Sequence, residues 1–257
     1  MELQGITVSA WLLLALGAAL VGVAKTSLPG AGILPVAIFA AVLPARISTG
    51  VLLVVLIAAD IFAVALYRAH ADWALLRRLV PSVAAGVVLG SVLLAMVNDG
   101  ILGRAIGVLL VVLVAVGLRN WIRNRSVGDG GIGPAPPTRV SPWKSSLYGS
   151  LAGTATMAAN SAGPIMSLYF LASGLSVRAL LGTSAWFYFV INLVKLPFSV
   201  GLGLITTNGL LMSLSLIPAM ILGGLLGSVV IKRVNVAIFE VLLMTVTMLA
   251  GLLLIIR

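Results

Sequence analysis

The chain has 257 residues, 61% of them hydrophobic and 9% charged, with a mean hydropathy of +1.23. Apolar runs of about 20 residues recur along it, the mark of membrane-spanning helices, which excludes a soluble domain of any size. The formal net charge of +10 comes mostly from basic residues at the ends of apolar runs, a pattern of membrane orientation and not of nucleic-acid binding.

The first ten residues, "MELQGITVSA", carry Glu2 and no positive charge. They do not read as the basic start of a signal peptide, so the first apolar segment is expected to be retained. That segment covers about 8–24 and a second covers about 32–44. Between them lies "GVAKTSLPGAGILP" (22–35), a lysine, two hydroxyl residues, glycines and prolines inside apolar sequence. It is not a phosphate loop. Gly17 and Gly22 have the right separation, but Val23 and Ala24 intervene before Lys25, whereas the loop needs lysine directly after glycine.

Three full spans follow, at about 47–67, 77–97 and 101–119. The only histidine, His70, falls between two of them beside Asp72 and reads as solvated. With no cysteine in the chain, disulfides, Fe–S clusters and thiol catalysis are excluded, and no metal site is expected. The polar, Gly/Pro-rich stretch "IRNRSVGDGGIGPAPPTRVS" (122–141) reads as an exposed loop. The second half again opens on an interrupted pair, about 145–159 and 164–175 around "NSAG", and continues with spans at about 179–200, 208–231 and 236–256.

The two halves repeat one pattern. "PSVAAGVVLGS" (81–91) matches "PAMILGGLLGS" (218–228), and Asn98 and Asn235 follow in register. Arg46 and Gly50 are spaced as Arg178 and Gly182 are, and in that register Asp60 falls opposite Asn192. The expected fold is therefore an all-α polytopic membrane protein of two repeats, each of roughly three full spans plus a broken or re-entrant helical hairpin. Its units are an N-terminal repeat (1–121), a linker (122–143) and a C-terminal repeat (144–257).

If each interrupted pair is a hairpin, the repeats are inverted. One side then collects Arg68, Arg77, Arg78, Arg119, Arg123, Arg125, Arg139, Lys144, Arg178, Lys232 and Arg233, and the other only Arg46, Arg104 and Arg257. Treating each pair as one kinked span divides the charges less sharply, so the positive-inside rule favours hairpins. The central loop is then cytoplasmic, both termini lie outside, and the protein sits in the cell (inner) membrane. Trp73, Trp121 and Trp143 fall near the basic side, as an interfacial belt should.

A helix broken in lipid exposes backbone polar groups, so the break must be buried in protein or line a wet cavity. The half-helix after it presents free N–H groups and a partial positive charge, which together favour an anion. These starts fall near Gly30 to Gly32 and near Ser161 to Gly163. Lys25 adds a full charge at the first break; intramembrane charge costs about 2.5–3.5 kcal/mol on insertion scales and points to function. Lys195 lies three residues after Asn192, on the same helix face. The expected substrate groups are Lys25, Thr26, Ser27, Gly30, Gly32, Asn160, Ser161, Gly163, Thr183, Asn192 and Lys195. Asp60, the acidic group deepest in a span, is either a proton carrier or a fixed counter-ion to Lys25.

Competing structural readings stand beside these. Either lysine, Lys195 more readily, could snorkel to an interface. The glycines after Pro81 and Pro218 suit helix packing better than ligand contact. Arg46 and Arg178 read as interfacial anchors, and Trp186, Phe187, Tyr188 and Phe189 as core or lipid-facing, with a pore gate as the alternative.

"GVAKTSLPGAGILP" (22–35), "PARISTG" (44–50), "AANSAGPIMSLYFLASGL" (158–175) and "GTSAWFYFVINLVKLP" (182–197) resemble the TauE/SafE sulfite-exporter family, also called the DUF81 group, over nearly the whole chain. The usual family signature has a run of glycines after the first helix, which "KTSLPGAG" replaces here. The resemblance implies movement of a small sulfur oxyanion or organosulfonate, driven by an ion gradient. The expectation is a secondary transporter with a small anionic substrate, proton or sodium coupling, a lipid surround, no cofactor and no nucleic acid. A passive anion channel and a carrier of another small anion such as a carboxylate are the alternatives. An enzyme is not expected: there is no G-x-S-x-G and no H-E-x-x-H.

Overall fold

A computed structural model describes residues 7–26, 32–126, 141–173, 175–230 and positions 245, 247–249, 251–253, 255 and 256. Among these residues all regular structure is helical. The first part holds α1 (Val8–Thr26), α2 (Ile33–Val42), α3 (Ala45–Tyr67), α4 (Trp73–Met96) and α5 (Asp99–Ser126), with a 3₁₀ turn (Arg68–His70) between α3 and α4. The second part holds α6 (Pro142–Ala159), α7 (Ala162–Ala172), α8 (Val177–Gly201) and α9 (Thr207–Val230). Within the described residues, 5 helical segments are long and apolar enough to cross a membrane: Val8–Thr26, Ala45–His70, Trp73–Met96, Arg178–Gly201 and Thr207–Gly227. The last expected span, 236–256, lies mostly outside the described residues, as does 127–140 of the linker. α5 runs past its expected end at 119 and takes in 122–126; a helix leaving hydrocarbon can continue into water, where charged residues are good helix formers.

Both interrupted pairs are antiparallel hairpins. Gly17, midway along α1, packs on Ile38 and Phe39 near the end of α2, so α2 returns along α1. Tyr169 near the end of α7 places its hydroxyl 2.9 Å from Ser145 Oγ at the start of α6. At 10 and 11 residues, α2 and α7 are only about 15–17 Å long and cannot cross the hydrocarbon. α1, with 19 residues, is long enough at about 28 Å.

The hairpins are held by the helices of the other half. α1 packs along α9, and α4 along α6. At the first crossing a Cβ on Gly22 would strike the Met220 carbonyl oxygen, and one on Gly223 that of Ala19. At the second, a Cβ on Gly86 would strike the Ser150 carbonyl oxygen and one on Gly153 that of Val83. Small residues let the backbones touch, which replaces a hydrophobic drive that lipid cannot supply. The glycines after Pro81 and Pro218 are thus crossing points, and both prolines sit inside unbroken helices.

α3 and α8 cross in opposite directions at the centre. Gly50 at the start of α3 meets Leu204, beyond the end of α8, and Gly182 at the start of α8 meets Tyr67 and His70, at and beyond the end of α3. Arg46 is more than an interfacial anchor. Its guanidinium donates to the carbonyls of Leu94 (2.9 Å) and Val97 (2.7 Å) and pairs with Asp99 (3.3 Å). It therefore satisfies the open end of α4 and ties it to the start of α3. His70, Trp73 and Trp143 are exposed.

Candidate functional site at the hairpin tips

The α6–α7 break is built around Asn160. This residue ends α6 in the left-handed region, with φ 52° and ψ 28°. Asparagine is one of the few side chains that tolerates it. The turn frees the Asn160 side chain to bridge. Its Nδ2 donates to the Thr49 carbonyl on α3 (3.0 Å), and its Oδ1 accepts from Lys195 Nζ on α8 (2.5 Å). Lys195 is fully buried and also donates to Thr156 Oγ1 (3.2 Å) and Asn192 Oδ1 (3.4 Å). An ammonium has three N–H groups, and three acceptors face this one. Lys195 does not snorkel.

A second bridge joins the first break to the same network. Lys25, in the last turn of α1, pairs with Asp60 Oδ1 on α3 at 2.6 Å. Asp60 is fully buried, while 13% of the Lys25 side chain remains open. Asn192 Nδ2 donates to Asp60 Oδ2 at 2.7 Å. Asn192 thus stands between a carboxylate on its amide nitrogen side and an ammonium on its oxygen side. The line runs Lys25, Asp60, Asn192, Lys195, Asn160 and crosses both halves of the chain.

Lys25 Nζ also lies 4.0 Å from the centre of the Tyr188 ring, a favourable cation–π contact. The Tyr188 hydroxyl donates to the Gly163 carbonyl at 3.4 Å. Tyr188 packs against the core, as one of its expected readings has it, and also connects the two tips.

Between the tips is a cavity of about 60 Å³, room for several water molecules at about 10–15 Å³ each. Lys25 and Gly32 line it from the first hairpin, and Asn160, Ser161, Ala162 and Gly163 from the second. α7 therefore begins on the cavity wall. Leu56, Leu181 and Ala185 supply apolar surface opposite. Ser184, 8% exposed, also lines it, and its hydroxyl has no hydrogen-bond partner among the described residues. Of the charged groups in the network Lys25 lines the cavity, and Asp60 and Lys195 are fully buried behind the wall.

The expected site residues divide on this geometry. Lys25, Gly32, Asn160, Ser161, Gly163 and Asn192 line the cavity, and Lys195 lies directly behind Asn160 and Asn192. Thr26 does not line it; its hydroxyl is held by the carbonyls of Gly22 (3.0 Å) and Gly224 (3.1 Å), locking α1 to α9. Thr183 is away from it too, with its Oγ1 accepting from the Asp72 N–H (2.9 Å). The Ser161 hydroxyl donates to the Ala159 carbonyl (2.9 Å). Ser27 and Gly30 lie outside the described residues. Thr156 and Ser184 were not among the expected residues, although both are legible by counting helical turns from known ones: Thr156 one turn before Asn160, Ser184 two turns before Asn192. No group of three His, Cys, Asp or Glu side chains suited to a metal occurs among the described residues.

The model of the sulfite exporter TauE/SafE family matches residues 14–254. Comparison with curated proteins and with solved structures finds no match. The match spans nearly the whole chain, and the chain belongs to the TauE/SafE sulfite exporter family.

Proposed function

We propose that this member of the family is a secondary transporter of a small anion, such as sulfite, an organosulfonate or a related sulfur oxyanion, bound between the two hairpin tips. The observation that carries this is one cavity faced by an incompletely buried ammonium, Lys25, and by the first residues of α7. Free N–H groups and a partial positive charge at a helix start favour an anion, and Lys25 adds a charge that lipid would penalise without such a use. Asn160 and Ser184 supply polar contacts at the wall. A cavity of this size suits an anion of a few heavy atoms.

An inverted repeat, with units 1–121 and 144–257, supplies the means of moving it. Three relationships support this reading: α3 and α8 run in opposite directions, the hairpins match, and α1 on α9 mirrors α4 on α6. Units related in this way can rock about a fixed central site and open it to each side in turn. In this arrangement both termini lie outside and the linker is cytoplasmic, in the cell membrane.

The test is uptake into proteoliposomes preloaded with sulfite or methanesulfonate. A transporter exchanges labelled outside anion for unlabelled inside anion and, with an imposed ion gradient, accumulates it uphill. Flux that only ever runs down its own gradient would identify a channel instead.

A further inference from the structure

Lys25 already holds an anion, and it is part of the protein. We propose that Asp60 is a built-in competitor of the transported anion for Lys25, displaced only by taking up a proton, so that one proton moves with each monovalent anion. This rests on the anion-transport reading above.

The geometry makes the competition direct. Asp60 Oδ1 is 2.6 Å from Lys25 Nζ. A substrate oxygen on the same ammonium, at about 2.8 Å, lies within about 5.4 Å of that carboxylate oxygen. Two negative charges so close in a water-poor site repel strongly. Among the described residues Asp60 has no second cation to turn to, because Lys195 has its donors on Thr156, Asn160 and Asn192, and Asn192 stands in between.

Among the described residues, other elements against α3 bring no further titratable group to this point. α9 and α2 contain none. From α8 come Lys195 and Tyr188, and from α1 Lys25. Tyr67 of α3 itself donates to the Thr26 carbonyl (2.8 Å). Arg68 and His70 are exposed, and Asp99 of α5 pairs with Arg46 at the far end of α3.

Asn192 also decides which oxygen takes the proton. Its amide nitrogen donates to Oδ2 while its amide oxygen faces the Lys195 ammonium. Turning the amide would set N–H groups against an ammonium, so Oδ2 stays an acceptor. The proton goes to Oδ1, the oxygen that Lys25 leaves. In balance, the Nζ–H to Oδ1 contact breaks and an O–H bond forms at Oδ1 with a proton delivered from bulk solution as hydronium, which is left as water. Lys25 keeps its three protons and donates to the substrate anion. Release reverses each step. Empty and loaded sites then carry the same charge, and neither leaves an unpaired charge to cross the membrane.

The test uses wild type and Asp60→Asn in proteoliposomes, each with sulfite and with methanesulfonate, the latter a monoanion throughout the working pH range. Wild type should take up methanesulfonate with one proton, driven by an inward proton gradient and indifferent to membrane potential. Asp60→Asn should lose more than about tenfold of proton-driven uptake, since its empty form carries an unpaired Lys25, and whatever anion exchange it retains should carry no proton. Uphill uptake intact in Asp60→Asn, or wild-type methanesulfonate uptake with no proton movement, would overturn the proposal. The wild-type proton count decides the matter if the variant does not fold. If neither anion is exchanged by wild type, the anion-transport reading itself fails.

Discussion

Asp60 and Asn192 meet side chain to side chain, Nδ2 to Oδ2 at 2.7 Å, and each lies 14 residues after an arginine, Arg46 and Arg178. One is charged and one is not. Two aspartates at this crossing would repel, and two asparagines would leave Lys25 without a counter-ion. The mismatch lets one carboxylate serve Lys25 directly and face Lys195 through an amide.

Glycines at the cavity and at the helix crossings should separate on mutation. A Cβ on Gly32 meets nothing within 4 Å, while one on Gly86 strikes the Ser150 carbonyl oxygen. Gly32→Ala should leave the unfolding midpoint unchanged and weaken anion binding, because the methyl enters the cavity. Gly86→Ala should lower the midpoint, with overpacking costing about 1–3 kcal/mol. Thermal unfolding in detergent with and without anion measures both.

Ser184 offers a sharper separation of fold from function. Its hydroxyl is buried with no partner among the described residues, so removing it forfeits no internal hydrogen bond. Ser184→Ala should match or exceed wild type in stability and bind the anion about 3- to 10-fold more weakly, the worth of roughly one hydrogen bond. A loss of stability with unchanged affinity would make the hydroxyl structural.

Lys195 and Asn160 should not be equivalent although they touch. Lys195→Met removes a buried charge together with its need for partners. Asn160→Ala leaves that ammonium short of an acceptor and puts alanine in the left-handed region, at about 1–3 kcal/mol for the unmet group alone. Asn160→Ala is therefore expected to destabilise more than Lys195→Met in denaturant titration, and the reverse order would remove the bridge from the account.

The absence of cysteine makes the orientation directly measurable. Ser9, His70, Lys144 and Thr206 are all exposed. As single cysteines in intact cells, positions 9 and 206 should react with a membrane-impermeant maleimide, while 70 and 144 should react only after permeabilisation. Labelling of 9 and 144 from the same side would contradict inverted repeats with hairpins.

Much of this site was open to reading because lipid makes polar residues conspicuous. Lys25, Asp60, Asn192 and Lys195 stand out in apolar sequence, and the breaks at "KTSLPGAG" and "NSAG" mark where the helices turn. Helix phase was harder. Thr183 and Ser184 are neighbours, yet one faces Asp72 and the other the cavity. About 100° of rotation separates adjacent residues, and only the anchor at Asn192 fixes which points inward. The cross-half contacts, such as Thr26 on Gly224, depend on packing between segments far apart in the chain, which local pattern does not encode. Arg46 shows the same limit: its position at a span start suggests an anchor, but its partners come from the end of α4.

The most direct test of the central claim is thermal shift of purified protein with sulfite, sulfate, thiosulfate, sulfoacetate, taurine and small carboxylates, on wild type and Lys25→Ala. A ligand that binds the folded state must raise its apparent stability, by about 2.7 kcal/mol at a hundredfold excess over Kd. The account predicts that one small anion stabilises wild type and loses most of that effect in Lys25→Ala. Equal stabilisation of both proteins would contradict it, since the anion would then be held without the ammonium at the first hairpin tip.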